Sequence, residues 1–178
     1  KKASELIEDG DSVLIDSGTT PLAVSKFIKH KNVSIVTNSI PVATECADFS
    51  GTLALTGGDL LPHSMGLGGP DTEKYLGNIK VNKLILGTSG VRLDNGLTTS
   101  SSIEAAIKKK MIAVADTIIL VLDHTKFKKI SITCFASFSD IDILVTSSDA
   151  PIDVIKEIEK YGVTVITVNL TEVLVENK

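Results

Sequence analysis

The stretch "SVLIDSGTTPLA" (12–23) sets a short apolar run against Asp16, then Ser17, Gly18, Thr19 and Thr20, then a proline and a helical pattern. That order suits an anion. Gly18 lets the backbone approach a ligand closely, and Thr19 or Thr20 can cap the helix while offering a hydroxyl. The helix N-terminus adds unpaired N–H donors and a partial positive charge, worth about 0.3 to 1 kcal/mol. Pro21 removes one of those donors. Asp16 would repel a phosphate, so its place is at sugar hydroxyls or in bracing the loop. An ordinary capped turn between a strand and a helix accounts for the same residues, so the motif by itself admits both readings. It is not a Walker loop, and the sequence has no GxGxxG, which leaves a nucleotide site poorly supported.

Two further constellations carry charge. In "DHTKF" (123–127) a lysine, Lys126, stands just beyond a strongly apolar strand, where it can reach a phosphate as a point charge. A hydrogen bond to such a charge contributes about 1.5 to 3 kcal/mol. In "NGLTTSSSIEAAIKK" (95–109), Ser101 and Glu104 have the S-x-x-E spacing of a capping box. Glu104 and Lys108 also form an i, i+4 pair, worth about 0.2 to 0.5 kcal/mol if exposed. On spacing alone, either structural role for Glu104 stands level with a functional one. The three histidines form no HExxH, and Cys46 and Cys134 form no CxxC, so no metal or cofactor is expected and the thiols read as free.

These residues need a frame. Short β-branched runs predict strands over 12–15, 33–37, 52–56, 83–87, 117–122, 141–146 and 163–168. Most are apolar throughout, as in "TIILVL", the pattern of strands buried on both faces of a parallel sheet. Helical periodicity predicts helices over 3–8, 22–29, 41–47, 71–77, 103–115 and 151–161. The alternation defines an α/β protein with a mostly parallel sheet flanked by helices. Two segments, 57–69 and 123–140, read as long loops of the kind that serve as lids.

Strand after strand then ends in small hydroxyl, glycine or carboxylate residues. "DSGTT" follows SVLI, "TNS" follows SIV, "TGGD" follows LAL and "GTSG" follows KLIL; "LDHTK" and "TSSD" close two more. Turns need such residues anyway. Repeated along one edge of an open α/β sheet, where ligands bind outside the carboxyl ends of the strands, they predict a polar crevice.

Composition sets outer bounds. The 178 residues are 43% hydrophobic and 22% charged, enough for one globular domain over 1–178. No apolar stretch approaches the roughly 18 to 20 residues of a membrane span. The formal charge of −4, no Trp and two Tyr argue against nucleic-acid binding by this stretch itself. The lysine runs at 108–110 and 126–129 read first as solvated faces. The opening "KKASELIEDG" is not a secretory signal, and it lacks an initiator Met, as a fragment of a longer chain would.

"DSGTT", "TNS", "GGDL", "LGTSG", "GLTT", "EAAIKKKM" and "DHTKF" together resemble, in order and approximate spacing, the C-terminal effector-binding domain of DeoR-family bacterial transcription repressors. The resemblance runs from Ala3 to about Val168. It implies a fold similar to ribose-5-phosphate isomerase and a cytoplasmic homo-oligomer. It also implies a phosphorylated sugar or related metabolite as effector, with DNA contacted only by an N-terminal helix-turn-helix absent from this chain. Carried over by motif, Asp16, Ser17, Gly18, Thr19 and Thr20 form the first ligand loop, Thr37 and Asn38 follow, and Gly57 and Gly58 shape the neighbouring loop. Gly87, Thr88, Ser89 and Gly90 form a second loop faced by Thr98 and Thr99, with Glu104, Lys108, Asp123 and Lys126 completing the set. Three departures stand out: Thr125 replaces the usual serine, Pro21 replaces a residue with an N–H, and "GTSG" replaces the commoner "GADG", removing an acid at Ser89.

Three classes of function fit this reading. A sugar-phosphate sensor leads, with no catalytic residue. A sugar-phosphate isomerase on the same fold would use Glu104 as base, assisted by Lys126 or Lys108, although "NGLTT" replaces that enzyme's glycine-rich stretch. A dimerisation module without ligand is the third.

Overall fold

The computed structural model describes residues 1–94 and 96–169. The chain runs β1 (Ser12–Ile15), α1 (Thr19–Ile28), β2 (Ser34–Thr37), α2 (Ile40–Glu45), β3 (Thr52–Leu55), β4 (Asp59–Leu61), β5 (Gly66–Gly68), α3 (Pro70–Leu76) and β6 (Val81–Leu86). It continues through β7 (Gly90–Arg92), β8 (Gly96–Thr99), α4 (Ser102–Val114), β9 (Ala115–Val121), β10 (Thr133–Ala136), β11 (Ile143–Ser147), α5 (Ile152–Glu159) and β12 (Thr164–Val168). Short 3-10 turns occupy Lys2–Leu6, His124–Lys128 and Phe138–Asp140.

The seven predicted strands all join one sheet, in the order β12-β11-β9-β6-β1-β2-β3. Every pairing in it is parallel. Successive residues feed opposite faces, as the pleat requires. Leu14, Leu84, Leu86, Ile118 and Leu120 pack against α3, α4 and α5 through Leu76, Ile107, Met111, Ile155 and Ile158. Val13, Ile15, Ile85, Ile119 and Val121 pack on the other face against Val24 and Ile28 of α1 and Val42 of α2. Both faces are covered, which is why these strands read as continuous apolar runs.

The chain leaves β1 toward β2 and β3 on one side, and β6, β9, β11 and β12 lie on the other. The neighbours β1 and β6 therefore straddle the point where strand order reverses, the place at which open α/β sheets hold ligands. Among the described residues, no helix is long and apolar enough to cross a membrane.

Four expectations change. The segment 3–8 forms a 3-10 turn over Lys2–Leu6 in place of an α-helix. Helix α1 starts at Thr19, with Gly18 as its N-cap, so Thr19 and Thr20 lie inside the first turn and do not cap it. The segment 57–69 is an antiparallel hairpin, β4–β5, pairing Asp59 with Gly68 and Leu61 with Gly66. The segment 123–140 holds β10, which joins a small antiparallel sheet of order β10-β8-β7 that no sequence pattern announced. These strands are three or four residues long and three of them begin with glycine, a residue depleted in strands, so periodicity has little to act on.

Candidate functional site

The ladder between β1 and β6 extends one step past β1, where Asp16 N donates to Ile85 O at 3.0 Å. This turns the Asp16 carboxylate inward, 1% exposed. Its Oδ2 accepts a hydrogen bond from Gly87 N at 2.9 Å and an ion pair from Lys108 Nζ. Lys108 reaches it from α4, donates also to Gly87 O at 3.1 Å, and lies 5.5 Å from the Phe135 ring centroid. Asp16 thus braces the loop after β1 against the loop after β6, the bracing role among the two expected of it.

Outside this brace lies a polar cavity of about 230 Å³. Ser17, Gly18, Thr19, Thr20 and Pro21 form one wall, and Gly87, Thr88 and Ser89 a second. Thr99, Glu104 and Lys108 supply a third, with Val121 and Lys126 at the end of β9 and just beyond it. Gly18 adopts φ +134, a conformation side chains rarely take, and this sets the turn into α1. The α1 N-terminus, its partial positive charge and the Lys126 ammonium favour an anion here.

Glu104 has a different role from the one that spacing suggests. Ser101 Oγ caps α4, accepting from Ile103 N at 3.2 Å and Glu104 N at 3.4 Å. The Glu104 carboxylate does not complete the box; it accepts from the Thr99 hydroxyl at 2.5 Å and lines the cavity. Lys108 is turned to Asp16 and Gly87, so the i, i+4 pair with Glu104 gives way to a tertiary contact.

The remaining sequence candidates stand around the cavity without lining it. The Thr37 hydroxyl donates to Ile15 O at 2.7 Å and accepts from Ser39 N at 3.0 Å, closing the turn after β2. Asn38 Nδ2 donates to Leu67 O at 3.0 Å, holding the hairpin. Gly57 O accepts from the Thr72 hydroxyl at 2.6 Å, and a side chain on Gly58 would meet that hydroxyl and Gly68 O. Gly90 lies against the Lys129 carbonyl, and the Thr98 hydroxyl donates to Gly90 O at 3.1 Å. Asp123 caps the 3-10 turn that carries Lys126, accepting from Thr125 N at 2.8 Å and from the Thr125 hydroxyl. Burial raises the pKa of this carboxyl, but its two bonds from Thr125 and the neighbouring Lys126 and His124 together outweigh burial and hold it below the ordinary aspartate value.

Three cavity residues escaped sequence reasoning: Val121 at the end of β9, and His63 and Ser64 at the tip of the β4–β5 hairpin. For His63 and Ser64 the signal available was the segment itself, glycine-flanked at both ends with Pro62, His63 and Ser64 at its centre.

The fold and site define an open α/β domain of the ribose-5-phosphate isomerase-like kind, with a polar crevice at its topological switch point. The chain belongs to the DeoR family: the model of the DeoR C terminal sensor domain matches residues 1–148. The HTH-type transcriptional regulator GlpR of Haloferax volcanii is 34% identical over 166 residues, covering 93% of this chain and 65% of that protein. The glycerol-3-phosphate regulon repressor of Escherichia coli K12 is 30% identical over 167 residues, covering 92% of this chain and 66% of the repressor. This chain spans about two-thirds of the length of these curated relatives. Among solved structures, ribose 5-phosphate isomerase A from Neisseria gonorrhoeae matches with TM-score 0.51 and 13% identity over 73% of this chain and 50% of that one. The eIF2B beta chain from Chaetomium thermophilum matches at 0.51 and 16% over 80% and 45%. At such identities the likeness is one of fold.

Proposed function

We propose that this domain binds a phosphorylated sugar or related metabolite in the cavity outside β1 and β6, and that binding modulates operator occupancy by a helix-turn-helix unit joined to it. The observation that carries this reading is the convergence on one polar cavity of the α1 N-terminus, Lys126 and Glu104. An N-terminus and a lysine suit a phosphoryl group; a carboxylate and threonine hydroxyls suit sugar hydroxyls. The E. coli relative is named for a phosphorylated metabolite, which agrees with that division. A ligand changes operator affinity only through unequal affinity for two arrangements of the protein, and a 100-fold difference, about 2.7 kcal/mol, is a useful order. A cytoplasmic homo-oligomer provides such arrangements.

The fold shared with an isomerase keeps a second reading in view, with Glu104 as the base. Against it, Glu104 is already held by the Thr99 hydroxyl, and the named relatives are transcriptional regulators. Thermal shift against sugar phosphates and the matching free sugars tests the sensor: stabilisation by phosphorylated compounds alone supports it, and no response to any of them refutes it. Turnover of ribose 5-phosphate by pure protein, abolished by Glu104→Gln, would make it an enzyme.

A further inference from the structure

The β4–β5 hairpin carries a hydroxyl that no described residue bonds. Ser64 Oγ is closed to solvent and without a hydrogen-bond partner among the described residues, and Ser64 is one of the residues lining the cavity. Buried polar groups are bonded as a rule, and a serine on the edge of a polar cavity can bring its hydroxyl into that cavity by rotating to another staggered χ1 position.

The hairpin fixes where that hydroxyl stands. Leu67 N donates to Asn38 O at 2.6 Å and Ile40 N to Met65 O at 3.1 Å, so the tip is tied to the turn between β2 and α2. Met65, directly after Ser64, adopts φ +51, a left-handed conformation seldom taken by side-chain-bearing residues. Gly66 completes the arrangement. A Cβ there would lie 2.8 Å from Ser17 Oγ and 3.3 Å from Ser64 Oγ. Two hydroxyls, one from the loop leading into α1 and one from the hairpin tip, therefore converge over the same α-carbon, beside the α1 N-terminus. His63 is exposed and shares the cavity lining.

We propose that the tip of the hairpin is an anion-binding arm. The Ser64 hydroxyl, rotated into the cavity with His63 beside it, donates to phosphoryl oxygens of a ligand whose other contacts are the α1 N-terminus and Lys126. This rests on the sugar-phosphate reading and adds the element that recognises the phosphoryl end, leaving Glu104 and Thr99 to the hydroxyl end.

The test is titration calorimetry of the full chain with glycerol 3-phosphate, ribose 5-phosphate and glucose 6-phosphate, beside glycerol, ribose and glucose. Ser64→Ala should weaken the phosphorylated compounds that bind by about tenfold or more. Its melting temperature without ligand should equal or exceed that of the wild type, because an unbonded buried hydroxyl is removed. His63→Asn should weaken the same compounds by a smaller factor; no change removes His63 from the arm. Unchanged affinity in Ser64→Ala overturns the proposal while the sugar-phosphate reading stands. An affinity loss together with a lower unliganded melting temperature assigns Ser64 a structural role and overturns it as well. A wild type that binds none of the three phosphorylated compounds takes down both.

Discussion

Lys108 and Asp16 stand 92 residues apart in sequence and form an ion pair that solvent barely reaches, with 5% of Lys108 and 1% of Asp16 exposed. Both also bond Gly87, through its carbonyl and its amide, so α4, the end of β1 and the loop after β6 meet at one point. Desolvating two charges offsets much of their attraction, and such a pair adds little net stability over an apolar one. What it does here is hold the walls of the cavity in register.

Removing one partner leaves the other charged and buried. Lys108→Met and Asp16→Asn should each cost about 3 to 5 kcal/mol in unfolding free energy. The double variant should cost less than the sum of the two by more than about 1 kcal/mol, since each change destroys the same contact. Urea denaturation of the four proteins measures this, and simple additivity would show that the pair is not a coupled unit.

Lys126 leads to the opposite expectation. It lines the cavity from a 3-10 turn, half-buried and without an ion pair among the described residues. Lys126→Ala should shift unliganded stability by no more than about 0.5 kcal/mol. Affinity for a phosphorylated ligand should drop about tenfold or more, and the wild-type affinity should weaken as salt is raised. Equal losses for a sugar phosphate and its free sugar would remove Lys126 from the phosphoryl end.

How far the sequence could be read depended on whether a residue's partner was local. Strands such as β6 and β9 are apolar on both faces because helices cover both, and that leaves an unmistakable run in the letters. The hydroxyl and glycine residues at the ends of β1 and β6 announced the crevice for the same reason. Lys108 was different: its nearest acid in sequence is Glu104, one helical turn away, whereas its partner lies across the fold. Thr37 and Asn38 have the residue types of a ligand loop, and in the fold the Thr37 hydroxyl and the Asn38 amide nitrogen bond backbone groups of β1 and the hairpin. No local pattern distinguishes those uses. His63 and Ser64 reach the cavity only through a hairpin whose strands are three residues each, too short to show alternation.

Helix α4 presents Glu104 and Lys108 together, so its start matters to the site. Ser101 accepts hydrogen bonds from two of the helix's unpaired amides, and Glu104 does not return one to Ser101 N. Ser101→Ala should therefore cost about 1 kcal/mol, the usual worth of a side-chain cap, while Ser101→Asp should keep most of it. Thermal unfolding of both variants checks this; equal losses would mean the hydroxyl acts elsewhere than at the cap.

Acid stability is set in part by Asp11, at the foot of β1. Its carboxylate meets Lys83 of β6 at 2.8 Å and accepts from Glu8 N at 2.7 Å. Burial raises its pKa, but the bonds from Lys83 and Glu8 and the charges of Lys83 and Lys31 together outweigh burial and leave it below the ordinary aspartate value. A carboxyl with a depressed folded-state pKa contributes stability above its unfolded pKa, and loses it as pH falls through the folded one. The wild type should hold this contribution near neutrality and shed it below about pH 4. Asp11→Asn should be less stable than the wild type at pH 7, and the gap should close as the pH is lowered toward 3. Melting temperatures of the two proteins across that range decide the matter, and a gap that stays constant or widens in acid would show that Asp11 does not contribute in this way.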